Sequence, residues 1–333
     1  MMFEDFKTFF GKFNQQNSYK TVAGKRNPAY PLQSSRNLNL PIVAIANQKG
    51  GTGKTTTAIN LSAALANKGF SILLIDIDAQ SHASLGLGVD VESLSYSIYD
   101  VMTRNIELGL AILPTKIKNL DIIPATSVLT GAQLEIADLL GREMVLRTAI
   151  YKMVNTGRRK YDYIIIDCSP SLNLLTINSF VAAKTLLVPI QTHYFSLEGM
   201  KELFSTIQIV KDRLNPDLDV LGILPTLFDA RTRMSRDILS QIKKHFKEKV
   251  FPTPIRMNVK LAEAQIHRES IFEYDPGSNG AKDYLALAER VIALTQTSEN
   301  ESQGLNGDDS LESRQAQKTT EKIESLKLPQ DIR

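Results

Sequence analysis

Between residues 41 and 297 the chain alternates two kinds of hydrophobic pattern. Short, nearly continuous apolar runs recur: PIVAIAN at 41–47, SILLIDID at 71–78, LDIIPA at 120–125, YDYIIID at 161–167, TLLVPI at 185–190 and VLGILPT at 220–226. Their β-branched content and near-continuous apolarity predict strands buried on both faces, as in a parallel sheet covered by helices. Between them lie helical stretches such as TTTAINLSAALANKG, with Ala58, Leu61 and Leu65 on one side and Gly69 as a stop. Strand and helix in alternation predict an α/β fold with a doubly wound, mostly parallel sheet flanked by helices, and flexible N- and C-terminal arms. Ligands of such folds bind beyond the carboxyl ends of the strands.

Charge divides the chain into three parts. Residues 1–40 hold six Lys/Arg against Glu4 and Asp5, whereas 298–333 hold eight acids against five bases. The latter stretch has scarcely any apolar content, so it cannot offset its own ordering entropy and is expected to be disordered. The expected organisation is therefore a basic arm (1–40), an α/β domain (41–297) and an acidic tail (298–333). A net charge of +3 over 333 residues is too mild by itself to declare a nucleic-acid binder. The single cysteine, Cys168, excludes a disulfide framework and a cysteine cluster within one chain. No run of about 18 apolar residues and no signal-peptide pattern occurs, which predicts a cytoplasmic protein that does not span a membrane.

The segment NQKGGTGKTTT (47–57) stands directly after the first predicted strand and opens the first long helix. Gly50, Gly51 and Gly53 let the backbone, with Thr52, turn its N–H groups toward phosphate oxygens, and the helix N-terminus adds its dipole. Lys54 would reach the β- and γ-phosphates, Thr55 would hold Mg²⁺, and Thr56 would donate to a further phosphate oxygen. The usual loop has glycine six residues before the lysine, yet Gln48 stands there. The loop is a variant, and its distinguishing residue is Lys49, which this chemistry leaves unemployed.

Two strands end in carboxylates. Asp78 ends LLIDID and Asp167 ends YIIID. An apolar strand that delivers a carboxylate to a loop is how Mg²⁺ and its waters are held beside a triphosphate. Asp76 competes with Asp78 for this role; Asp78 is favoured because it lies nearer the loop.

KGGTGKTT, followed in order by LLIDIDAQ, IIIDCSPS, LVPIQTHYFSLEG, LPTLFDARTRMS and MNVKLAEAQ, resembles the ParA-type partition ATPases, the deviant-loop relatives of MinD. The resemblance spans about residues 41–297. It implies an ATP hydrolase that binds ATP and Mg²⁺ and forms a sandwich homodimer with the nucleotides between subunits. It further implies that Lys49 crosses to the partner subunit's phosphates, that Asp78 positions the attacking water, and that Asp167 orders Mg²⁺ through water. A cation supplied across the interface makes hydrolysis depend on dimer state. Two departures are visible: Ala79 where many relatives have proline, and Gln265-Ile266-His267 in place of a more common proline-serine-histidine run. They bear on switching more than on nucleotide binding.

A partition ATPase also holds double-stranded DNA without sequence preference. At roughly 100° per residue, Arg233, Arg236, Lys243, Lys244 and Lys247 fall within about a 100° arc, with Ile238, Leu239, Ile242 and Phe246 opposite. Solvated charge is the ordinary reading of such a stripe; Arg231, Arg256, Lys260 and Arg268 nearby, and the family's use of arginines here, favour nonspecific phosphate binding. In the N-terminal arm, Phe3, Phe6, Phe9, Phe10 and Phe13 share one helical face. That face would dock on the chain's own core or dimer partner, meet an adaptor, or attach weakly to a membrane.

The expected function is partner-stimulated release from nucleoid DNA, with a ParB-type centromere-binding protein as partner and plasmid or chromosomal DNA as cargo. The alternative is positioning of a protein cargo, a microcompartment or a chemoreceptor cluster, through another adaptor. A MinD-like membrane ATPase would end in a basic amphipathic helix, whereas SLKLPQDIR is short, proline-broken and preceded by acidic sequence. Iron–sulfur carriers need more cysteines, and the kinases of this superfamily carry tyrosines beyond the last one here, Tyr284.

Overall fold

The computed structural model describes residues 40–157, 160–197 and 199–296. All six apolar runs are strands: β1 (Ile42–Ile45), β2 (Ile72–Ile77), β4 (Leu120–Ile123), β5 (Tyr163–Cys168), β6 (Thr185–Gln191) and β7 (Asp219–Thr226). A further strand, β3 (Leu113–Pro114), is too short to leave a pattern in the sequence. The sheet order is β3-β4-β2-β5-β1-β6-β7, with every pairing parallel except β3 against β4. Every residue of β1, β2 and β5 is buried, as continuous apolarity requires of strands covered on both faces.

The helices include α1 (Lys54–Asn67), α2 (His82–Gly86), α3 (Ile98–Arg104), α4 (Leu129–Ile136), α5 (Val145–Thr156), α6 (Leu174–Ala182), α7 (Met200–Arg213), α8 (Arg233–Phe246), α9 (Val259–Ile266) and α10 (Ile271–Tyr274), and residues 279–289 are helical as well. The first departs from its expected form. Eleven of its fourteen residues are buried, so it is a core helix and not one with a single apolar side. Its small residues allow this: Ala63, Ala64 and Ser62 are fully buried where larger side chains would hold neighbouring elements apart. Gly69 does end it, at φ 92°.

Register brings three strand ends level. Ile45 of β1 pairs with Asp167 of β5, and Asp167 pairs with Asp76 of β2. The described residues divide into two units at Glu289/Arg290, and the second is described only over 290–296, which is helical. The Phe-rich arm and the acidic tail lie outside the described residues.

Candidate functional site

The loop after β1 is tied down by its backbone oxygens. Asn47 Oδ1 accepts the Lys49 N–H (3.0 Å) while its Nδ2 donates to the Pro189 carbonyl (2.6 Å). Thr226 Oγ1, at the end of β7, donates to the Thr52 carbonyl (2.9 Å), and Gln191 Nε2, at the end of β6, donates to the Gly51 carbonyl. In a trans peptide the N–H points opposite to the C=O, so anchoring these carbonyls turns the next N–H groups away from the sheet. Gly51 and Gly53 sit at φ 71° and 83°, a conformation that costs a residue with a Cβ about 1 kcal/mol or more.

Lys54 opens α1 and is buried, its ammonium donating to the Lys49 carbonyl at 3.2 Å. Burial pulls its pKa down, opposed by the charges of Asp167, Cys168 and Asp78. The helix has no side-chain cap and no acid in its first turn. Uncapped N–H groups beside a buried cation form an anion site.

Asp167 is fully buried and neither carboxylate oxygen has a hydrogen-bond partner among the described residues. Burial foremost, then the Asp76 charge, pushes its pKa well above the usual carboxylate range; Thr55 and Lys54 act in the ionising direction. Hard divalent cations take oxygen ligands and often keep their waters, so an orphaned carboxylate next to the Thr55 hydroxyl fits Mg²⁺. Asp76 is equally buried but fully engaged, accepting from Ser84 N (2.9 Å), Ser84 Oγ (2.7 Å) and Asp78 N (3.1 Å). Burial pushes it up to about 6. Asp78 is half-buried in the loop beyond β2, where its Oδ1 accepts the Gln80 N–H at 3.0 Å. The two competing aspartates thus differ in what they already hold: Asp76 braces α2, and Asp78 faces the loop. Burial lifts the Cys168 thiol to about 12, which leaves it no nucleophile at neutral pH. Lys49 is half-buried, with no partner for its ammonium among the described residues.

The cations expected on a DNA face divide into two groups. Arg256 forks onto Asp283, a carboxylate that is 2% exposed, through contacts of 2.6–3.1 Å. Arg231 forks onto Asp229 (2.9 and 3.0 Å), and Lys260 pairs with Glu263 (2.8 Å) while lying 5.7 Å from the centre of the Tyr274 ring. Arg233 makes a long contact to Asp237 (3.5 Å), and Arg236 donates to the Ala230 carbonyl. Lys243, Lys244 and Lys247 are exposed and have no partner among the described residues. The apolar face of α8 does pack: Ile238, Ile242 and Phe246 are buried, with Phe246 stacked on Phe204. Lys247 closes the helix at φ 47°, ψ −124°.

Asn47, Gln191 and Thr226 shape the loop but carry no sequence signal, because their partners lie 142, 140 and 174 residues away. Among the described residues no group of three or more His, Cys, Asp or Glu could hold a metal ion by itself, and no helix is long and apolar enough to cross a membrane.

A doubly wound sheet whose first strand feeds a lysine-bearing glycine loop into the first helix defines the class of P-loop nucleotide-binding proteins. The AAA domain family matches residues 40–220, over half the chain. The sporulation initiation inhibitor protein Soj of Bacillus subtilis is 44% identical over 252 residues, 76% of this chain and 98% of that protein. The chromosome partitioning protein ParA of Myxococcus xanthus is 41% identical over 251 residues, 75% of this chain and 87% of that one. Among solved structures, cobyrinic acid a,c-diamide synthase from Mycobacterium smegmatis with bound ADP and magnesium superposes with a TM-score of 0.66 at 34% identity, covering 75% of this chain and 93% of that one. The chain belongs to the ParA-type partition ATPases.

Proposed function

We propose that the chain binds ATP with Mg²⁺ at the loop 49–56, dimerises around it, rests on nonspecific DNA in that state, and is released when a partner stimulates hydrolysis. The observation that carries this reading is the pair of buried, under-partnered charges at the carboxyl ends of β1 and β5: Lys54 with one carbonyl contact and Asp167 with none. Buried charges are costly unless a ligand completes them, and a triphosphate with its divalent ion complements both signs. Bound Mg²⁺ supplies charge neutralisation at the phosphate oxygens. Lys54 and the loop N–H groups bind the phosphates, Thr55 and Asp167 (through water) hold the ion, and Asp78 orients the attacking water. Lys49, with an ammonium that nothing among the described residues engages, completes the partner subunit's site. Lys243, Lys244 and Lys247, exposed and without a partner among the described residues, support contact with DNA phosphates and so residence on the nucleoid in the cytoplasm, with a ParB-type protein as the stimulating partner.

Two variants test the division of labour. Lys49→Ala retains most of its ATP affinity and loses partner-stimulated hydrolysis, whereas Asp78→Ala still dimerises with ATP and hydrolyses slowly. Calorimetric ATP binding, light scattering and phosphate release measure these. Normal stimulated turnover by Lys49→Ala removes the trans role, and fast turnover by Asp78→Ala moves the water-positioning role elsewhere.

A further inference from the structure

Thr56 is the last residue of the loop, and one of its two polar contacts comes from the other end of the chain. Gln265 Nε2, on α9, donates to Thr56 Oγ1 at 2.7 Å, across 209 residues of sequence. A hydroxyl carries one donor and two acceptor sites. The amide occupies a lone pair, and among the described residues the Thr56 proton has no acceptor. The carbonyl four residues earlier, Thr52 O, receives Thr226 Oγ1.

A second tie fixes the approach of α9. Asn60, one turn along α1, donates Nδ2 to the Thr56 carbonyl (2.8 Å), and its Oδ1 accepts the Ile271 N–H (2.8 Å). Thr57 Oγ1 lies 3.2 Å from the Tyr284 hydroxyl, both buried. Three successive contacts therefore staple the start of α1 to the stretch 265–284. Only the one made by Gln265 uses an exposed side chain, and only that one ends on the hydroxyl that the sequence assigns to a phosphate oxygen.

We propose that Gln265 is a positioning residue of the phosphate site: its amide holds the Thr56 hydroxyl with the proton turned toward the phosphate, and couples nucleotide occupancy to α9. This rests on the reading of the loop as a phosphate site. The departure at 265–267 thus touches nucleotide binding itself, against the sequence expectation that it bears mainly on switching.

Glutamate at 265 has nearly the same shape but only accepts, so it captures the Thr56 proton and reverses the bond. With a non-hydrolysable ATP analogue and Mg²⁺, calorimetry on the full chain is expected to show Gln265→Ala binding about fivefold more weakly and Gln265→Glu more than about tenfold more weakly. In a Thr56→Val background the cost of Gln265→Ala shrinks below about twofold. Equal cost in both backgrounds, or Gln265→Glu binding as tightly as wild type, overturns the proposal. In nucleotide-free protein, amide exchange over 261–268 quickens in Gln265→Ala and Thr56→Val alike; unchanged exchange in both variants also overturns it. If wild type binds no nucleotide, the phosphate-site reading fails, while the exchange comparison still decides whether the tie between Gln265 and Thr56 holds α9.

Discussion

The phosphate loop and the basic face of α8 both collect positive charge, and they do so under opposite conditions. In the loop, Lys54 is buried and donates to the Lys49 carbonyl while the Gly51 and Thr52 carbonyls are tied to the ends of β6 and β7, so the charge is held in one place before any ligand arrives. On α8 and at its C-cap, Lys243, Lys244 and Lys247 are exposed and unpaired among the described residues, held only by the helix beneath them. A preorganised buried charge gives strength and geometry; a mobile exposed one gives long reach, salt sensitivity and indifference to sequence.

Breaking the loop has the largest expected effect. Lys54→Ala removes charge-assisted contacts in a buried site and is expected to weaken ATP binding by about 10²-fold or more and abolish the ATP-dependent dimer; calorimetry and light scattering check it. Next comes the exposed face: replacing Lys243, Lys244 and Lys247 together by alanine lowers the slope of log K against log salt for duplex DNA by about 2.7, with little change in melting temperature. Arg256→Ala sharpens the contrast, because Arg256 is the partner of a buried acid. It leaves Asp283 uncompensated and destabilises the fold by about 2 kcal/mol, read as a shifted denaturant midpoint, with a smaller effect on the salt slope than the three lysines together.

The smallest effect concerns the orphaned acid. Asp167→Asn relieves an unpartnered buried carboxylate and raises the melting temperature of the nucleotide-free protein by roughly 2–6 °C while removing its dependence on Mg²⁺ for ATP binding. The pH dependence has a definite sign. Asp76 and Asp167 are raised in the fold above their unfolded values, so the folded state holds more protons and nucleotide-free stability falls as pH rises. For Asp76 that decline runs from about 4 to about 6. Asp167→Asn makes the decline shallower in a series of melts at different pH.

The sequence was most legible where burial dictates residue type. Six strands were visible because a strand covered on both faces has no polar positions to confuse the pattern. The loop was visible because glycine is the residue that enters the left-handed turns at 51 and 53 without a steric cost. The helix α1 was placed correctly but misread in character: Thr57, Asn60 and Ser62 look like a polar side, yet they are buried, Asn60 and Thr57 finding partners in 271 and 284. The partners of Gln191, Thr226 and Gln265 were silent for the same reason, although Gln265 itself stood out as a departure from the resemblance. A hydrogen bond between residues far apart in sequence leaves no spacing to read. The basic face was legible as a stripe, but sorting its free cations from Arg256 required the buried Asp283 opposite it.

Lys247 carries a consequence for how this surface is kept. Its φ of 47° with ψ of −124° is a conformation that glycine adopts freely and that holds other residues at about 1–3 kcal/mol. Selection for folding alone would therefore replace Lys247 with glycine, and a stabilisation screen on the isolated protein is expected to recover that change first among substitutions on α8. Such a winner would hold its shape better with one exposed cation fewer, so on the proposed reading thermostability makes a poor proxy for fitness at this one turn.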